Sequence, residues 1–230
     1  RLLASLGGYV YSLGRGEICV HLYIAGSAAL GIGGQMVALR VDTDYPWRET
    51  VAISVHPSQA TELCLALRIP GWCRAASAQV NGEPVDIEPL MDRGYAKIRR
   101  VWHQGDRVEL RLPMPVERTE AHPSVRDDCG LIALQRGPLV YCLEEADNGP
   151  DLADISLPDD AGLRAAFDEG LLGGIVAIGG QGKRRELSRW KDRLYQPLTC
   201  ATRTVALRAI PYYAWANRTP GGMLVWMRRG

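Results

Sequence analysis

Short apolar runs broken by turn residues recur along nearly the whole sequence, and this pattern leaves few folds open. Strand-like runs lie at 18–24, 36–41, 50–55, 62–69 and 108–112, with a second set at 131–135, 139–144, 174–178, 202–210 and 224–228. Among the turns, Val80-Asn81-Gly82-Glu83 is the strongest constraint. Asn and Gly accept the positive φ angles of a type I′ hairpin, so two antiparallel strands should meet there. Gln104-Gly105-Asp106 similarly punctuates the entry to the last strand of the first set. Pro113-Met114-Pro115 interrupts the pattern, because proline cannot donate to a sheet ladder, and a domain boundary is placed there. A helical period is kept at 1–13, through Leu2, Leu3, Leu6, Val10 and Leu13, with Gly14 as its stop. Residues 147–170, rich in Asp, Pro and Gly, read as a long surface connection with one helical turn near 163–167. The expected fold is all-β: two β-sandwich domains at 15–115 and 116–230 behind one short helix at 1–14, the last strand being a candidate to return to the first sandwich.

Charge excludes two classes of partner. Lys and Arg total 27 against 26 Asp and Glu, so the net charge of +1 supplies no field for gathering nucleic acid or an anionic membrane. The longest apolar stretches fall short of the roughly 20 residues that span a bilayer, and no basic-then-apolar leader opens the sequence. Because it begins at Arg1 and enters an amphipathic pattern at once, the chain is expected to be a fragment. Cys19, Cys64, Cys73, Cys129, Cys142 and Cys200 form no C-x-x-C pair. Several lie in apolar runs, where a thiol behaves as a small hydrophobe, so core thiols in a reducing, cytoplasmic setting are expected ahead of disulfides or a metal site.

Catalytic constellations are weak. Glycoside hydrolysis usually needs two converging carboxyl groups. Glu144 and Glu145 are adjacent at a strand end and point to opposite faces, while Asp127-Asp128 reads as a turn and Glu117 and Glu120 flank the proposed linker. His21, His56, His103 and His122 are scattered without a ligand spacing. Gly31-Ile32-Gly33-Gly34 fails the phosphate-loop pattern and reads as a turn, and the cluster at 183–193 reads as a solvated loop or hairpin tip, or an acidic-partner site. Trp47, Trp72, Trp102, Trp190, Trp215 and Trp226, with Tyr45, Tyr212 and Tyr213, either plug the sandwich cores or stack on sugar rings. No catalytic, cofactor-binding or metal residue is assigned.

Longer strings carry more. ICVHLYIAGSA (18–28), TDYPWRETVAISV (43–55), LALRIPGWC (65–73), VNGEPV (80–85), GYAKIRRVWHQGDRVELRLPMPVE (94–117), ALQRGPLVYCLEEADN (133–148) and IPYYAWANRTPGGMLVWM (210–227) keep an order and spacing that resembles the C-terminal half of family 127 glycoside hydrolases. The resemblance implies a retaining β-L-arabinofuranosidase built from an N-terminal (α/α)6 barrel and two β-sandwiches. Its nucleophile would be a cysteine within a zinc site of three cysteines and a glutamate, with a separate glutamate as acid/base. In the family that cysteine belongs to a C-C-P-x-N stretch just ahead of a helix resembling residues 1–11, and none of the six cysteines here matches it. The expectation is a non-catalytic portion without zinc of its own. Its partners would be the missing barrel, a second copy in a homodimer and, for the parent, an arabinose-containing oligosaccharide. An autonomous carbohydrate-binding module or a structural interaction module is the alternative.

Overall fold

The computed structural model describes residues 2–190, 193–197 and 201–230, which fall into two compact units, Arg1–Met114 and Pro115–Gly230. The protein is mostly β, with one short helical segment at its start. That segment is α1 (Leu2–Ser5) continued by a 3-10 turn (Leu6–Tyr9), and it is shorter than the periodicity suggests. Gly7 and Gly8 weaken a helix at its middle, and Tyr11–Gly14 instead forms a strand that pairs back on Glu17–Val20.

In the first unit the strands are β1 (Tyr11–Gly14), β2 (Glu17–Val20), β3 (Gly26–Ile32), β4 (Gln35–Thr43), β5 (Thr50–Pro57), β6 (Thr61–Arg68), β7 (Ser77–Val80), β8 (Glu83–Val85), β9 (Met91–Asp92), β10 (Tyr95–Trp102) and β11 (Asp106–Arg111). They make one sheet in the order β1-β2-β6-β10-β9 and another in the order β3-β4-β5-β11-β7-β8. A single core lies between them, as expected of a sandwich: Leu63, Leu65, Leu67, Ile98 and Trp102 from the first sheet meet Val37, Leu39, Val41, Ile53, Val108 and Leu110 from the second. The alternation of β4, with Val37, Leu39 and Val41 buried between exposed neighbours, is the period-2 pattern at its clearest. At the β7–β8 hairpin Asn81 (φ 55°) and Gly82 (φ 86°) adopt the left-handed angles the turn needs. Asn81 also accepts from the Arg107 backbone N–H (2.8 Å) and donates to Asp106 (2.8 Å), which ties the turn to β11.

The second unit contains β12 (Val116–Glu120), β13 (Leu131–Arg136), β14 (Leu139–Glu144), β15 (Ser156–Leu157), β16 (Arg164–Asp168), β17 (Ile175–Arg185), β18 (Thr202–Pro211), β19 (Met223–Leu224) and β20 (Met227–Arg229), with a one-turn helix α2 (Glu145–Asn148) after β14. Strand order is β12-β13-β20-β15-β17-β18-β14-β19, and because β13 also pairs with β14 the hydrogen-bonded path closes on itself. The closed path surrounds Leu134, Tyr141, Leu143, Leu157, Ile178, Leu207 and Met227. The final strand, β20, pairs with β13 and β15, both within this unit. The helical turn expected near 163–167 is absent; residues 164–168 are instead a strand on the edge of β17. A window of five residues with two alanines and one phenylalanine satisfies either period, and pairing with β17 decides it.

Candidate functional site

The carboxylates with the most developed environment are Glu144 and Asp147. Glu144 ends β14 and Glu145 begins α2, so strand alternation does not govern the pair; the Glu145 carboxylate accepts from the Gly222 backbone N–H (2.8 Å). One turn of α2, however, carries Asp147 round to the side of Glu144. Both converge on Arg218. Its Nε donates to Glu144 (3.0 Å), its Nη1 to Asp147 (2.9 Å), and its Nη2 to both. The second oxygen of Glu144 accepts from the Ala216 backbone N–H (3.0 Å). Hydrogen bonding to Asp147 first, with Glu144 adding and burial opposing, holds the guanidinium pKa above its ordinary value. With their oxygens engaged by one fixed cation, these carboxylates are placed to hold structure rather than to exchange protons with a substrate.

What the cluster holds is the segment 212–222, which displays aromatic side chains. Tyr212 and Trp215 stack at 6.2 Å with an interplanar angle of 16°, and Tyr212, Tyr213 and Trp215 are all exposed, Tyr213 at 60%. Beside them a depression of about 520 Å³ is lined by Val140, Tyr212, Met223, Leu224, Val225 and Trp226. The other tryptophans divide. Trp102 is fully buried and donates from Nε1 to the Leu63 carbonyl (3.2 Å), so it fills the core; Trp72 packs against that core from a partly buried position.

The remaining candidates are dispersed. Cys64, Cys73 and Cys142 are buried, Cys19 is half-buried and Cys129 exposed, all as free thiols, while Cys200 lies outside the described residues. Burial pushes the Cys142 thiol up to about 12, with the Glu144 charge adding to it. Burial likewise raises Cys19, Cys64 and Cys73. A thiolate nucleophile or ligand needs the opposite environment, and among the described residues no group of three or more His, Cys, Asp and Glu side chains is disposed to hold a metal ion. The described residues do not fit a zinc site. His21 lies 2.7 Å from both the Tyr95 hydroxyl and the Ser12 hydroxyl; the imidazole of His122 accepts from the Ser124 backbone N–H (3.2 Å); His103 is 3.9 Å from Asp106; and Nδ1 of His56 is buried without a partner among the described residues.

Asp127 and Asp128 sit in a 3-10 turn, Glu117 and Glu120 lie on β12, and Gly33 and Gly34 make the tight β3–β4 turn. The cluster at 183–193 is not wholly a solvated loop. Lys183 to Arg185 belong to β17, and Arg184 is buried, donating to the carbonyls of Asn148 (2.8 Å) and Pro150 (2.5 Å); Lys191 and Asp192 lie outside the described residues. No described helix is long and apolar enough to cross a membrane. The Arg218 cluster was invisible to local reading because Glu144 and Arg218 stand 74 residues apart. Its one available signal was an Arg within the aromatic string of 210–227.

Comparison with known proteins places these features. Residues 17–114 match the β-L-arabinofuranosidase, GH127 middle domain, and residues 116–228 match the glycoside hydrolase family 127 C-terminal domain. A non-reducing end β-L-arabinofuranosidase of Bifidobacterium longum subsp. longum is 36% identical over 244 aligned positions, which take in 100% of this chain and 36% of that protein. Among solved structures, a GH127 β-L-arabinofuranosidase from Geobacillus stearothermophilus T6 shares 52% identity at a TM-score of 0.97, over 100% of this chain and 36% of that one. A GH127 β-arabinofuranosidase shares 31% at 0.90, over 100% and 37%. The chain thus spans little more than a third of the length of these relatives.

Proposed function

The chain belongs to glycoside hydrolase family 127, whose middle and C-terminal domains it comprises, and we propose that it is a non-catalytic portion of a β-L-arabinofuranosidase that supports the catalytic barrel. The observation that carries this reading is the commitment of its best-placed carboxylates, Glu144 and Asp147, to Arg218. A retaining mechanism needs a nucleophile and an acid/base group free to act on opposite sides of an anomeric carbon, and that pairing is not offered by carboxylates saturated with donors. Zinc, the cysteine nucleophile and the arabinose-containing substrate belong in this proposal to the remainder of the longer enzyme.

Two surfaces suit the supporting role. At the start of the chain Leu2, Leu3, Leu6, Tyr9 and Leu13 are exposed, Leu3 at 86%, and the aromatic segment 212–215 offers a second apolar face. Pairing of two copies through flat sheet faces belongs to the same reading, as does a reducing, cytoplasmic setting for the free thiols.

The test is to split the Geobacillus stearothermophilus relative ahead of the stretch that this chain matches. The matching part alone should be inert, the other part insoluble or weakly active, and the mixture should recover hydrolysis of an aryl β-L-arabinofuranoside. Full activity of the other part by itself, or hydrolysis by the matching part, would overturn the proposal.

A further inference from the structure

The outer face of β16, β17 and β18 carries a groove of about 820 Å³, within the size range of small-molecule sites. Register explains its shape. Arg164, Gly179 and Arg208 form one cross-strand row, Ala166 and Ala177 the next, so two long side chains flank a floor made of the smallest ones. Neighbouring strands lie about 4.8 Å apart, and a floor two strand spacings wide is therefore on the order of 10 Å across. Gln181 and Glu169 close the ends, and Phe167, 53% exposed, is among the lining residues.

The polar groups of this groove are unevenly used. Arg208 donates to Asp168, and Asp168 accepts from the Gly170 backbone N–H (3.0 Å). Arg164, Glu169 and Gln181 have no side-chain hydrogen bond or ion pair among the described residues. Arg164, Gln181 and Glu169 thus bring donors and acceptors to one concave surface with no protein partner among the described residues, and its charges cancel: Arg164 against Glu169, Arg208 against Asp168. An anion or a cation gains little from such a balance. A neutral, polyhydroxylated ligand uses it fully, because each hydroxyl both donates and accepts while the ring lies over small residues.

We propose that the β16–β17–β18 groove of the second unit is a binding site for a neutral oligosaccharide, with Arg164, Glu169 and Gln181 as the hydroxyl-reading residues and Gly179, Ala166 and Ala177 as the floor. The site goes beyond the supporting role proposed above and does not depend on it.

The experiment is titration of the 230-residue chain with arabinotriose and xylotriose, followed by saturation-transfer NMR, with trigalacturonic acid as the anionic comparison. A dissociation constant on the order of a millimolar is expected for a neutral trisaccharide, the range that a few hydrogen bonds in a shallow site supply. Gly179→Val tests the floor without disturbing the fold. A Cβ there meets only the Leu207 carbonyl oxygen at 4.0 Å, and a β-branched residue suits a strand. This variant and Gln181→Ala should weaken binding at least tenfold, whereas Trp215→Ala should leave it unchanged. The proposal is overturned if neither neutral trisaccharide binds, if trigalacturonic acid binds tighter than both, or if binding survives Gly179→Val and is lost in Trp215→Ala.

Discussion

Replacing Arg218 by Met should destabilise the second unit by about 3 kcal/mol. The side chains of Glu144, Asp147 and Arg218 are 7%, 10% and 19% exposed, so the guanidinium is the nearest counter-charge for two carboxylates that water scarcely reaches. Removing one partner of such a cluster typically costs about 3–5 kcal/mol, because the remaining charges stay buried and unpaired. Two features place Arg218 at the low end: its own partial exposure, and Arg208 standing 3.9 Å from Asp147 as a residual counter-ion. For a unit of this size, about 4 °C of melting temperature accompanies each kcal/mol, so a drop of about 12 °C is expected. Urea unfolding should be followed by fluorescence and, separately, by amide exchange in β14 and β18, so that the second unit is read apart from the first. Near-ultraviolet circular dichroism should also lose the signal of the stacked Tyr212 and Trp215, since Ala216 and Arg218 fix that segment through Glu144. Adding Glu144→Gln and Asp147→Asn to Arg218→Met should recover part of the loss by removing the unpaired charges. A loss under about 0.5 kcal/mol with unchanged circular dichroism would refute this reasoning and class the cluster with ordinary surface pairs.

Three further outcomes are expected. Trp102→Ala should cost the first unit about 3–5 kcal/mol in chemical denaturation, since it empties a fully buried site and removes the donor to the Leu63 carbonyl. In the same unit the Asp106 carboxyl is held below its usual range: burial pushes it up, but hydrogen bonds from the His103 backbone and Asn81, with the charge of Arg100, outweigh that. Because its folded pKa is depressed, its contribution is present above the unfolded value of about 3.9 and is lost as pH falls through the folded one; an acid titration of stability below about pH 4 should therefore be shallower in Asp106→Asn. Deleting residues 1–9 should reduce self-association in light scattering, whereas deleting 1–13 should also destabilise, because it removes buried Val10 and most of the strand that pairs with Glu17–Val20.

Legibility in the sequence followed the range of the interactions. The Asn81-Gly82 hairpin and the alternation of Val37, Leu39 and Val41 are set by neighbours in the chain, and both are present in the fold. Strand β10 was harder to read, since Arg99 and Arg100 interrupt the apolar pattern, although Ala96, Ile98 and Trp102 are buried along it. Leu13 satisfied a helical spacing, yet the two glycines before it and the pairing of Tyr11–Gly14 gave a hairpin instead. Strands of two or three residues such as β15, β19 and β20 exist only through partners far along the chain, as does the convergence of Glu144, Asp147 and Arg218. Family membership was legible for the complementary reason. Strings such as RIPGW and PYYAWANR carry the resemblance as whole runs, whatever each position does, and they lie within the matched ranges 17–114 and 116–228.

The most direct test of the central claim is the release of p-nitrophenol from a p-nitrophenyl β-L-arabinofuranoside by the purified chain. No turnover above the uncatalysed rate is expected, with or without added zinc, because the described thiols are free and, where buried, raised in pKa, and the best-placed carboxylates are bound to Arg218. Zinc-dependent turnover that disappears on changing any one of Cys19, Cys64, Cys73, Cys129, Cys142 or Cys200 would contradict the account and place an active site within this chain.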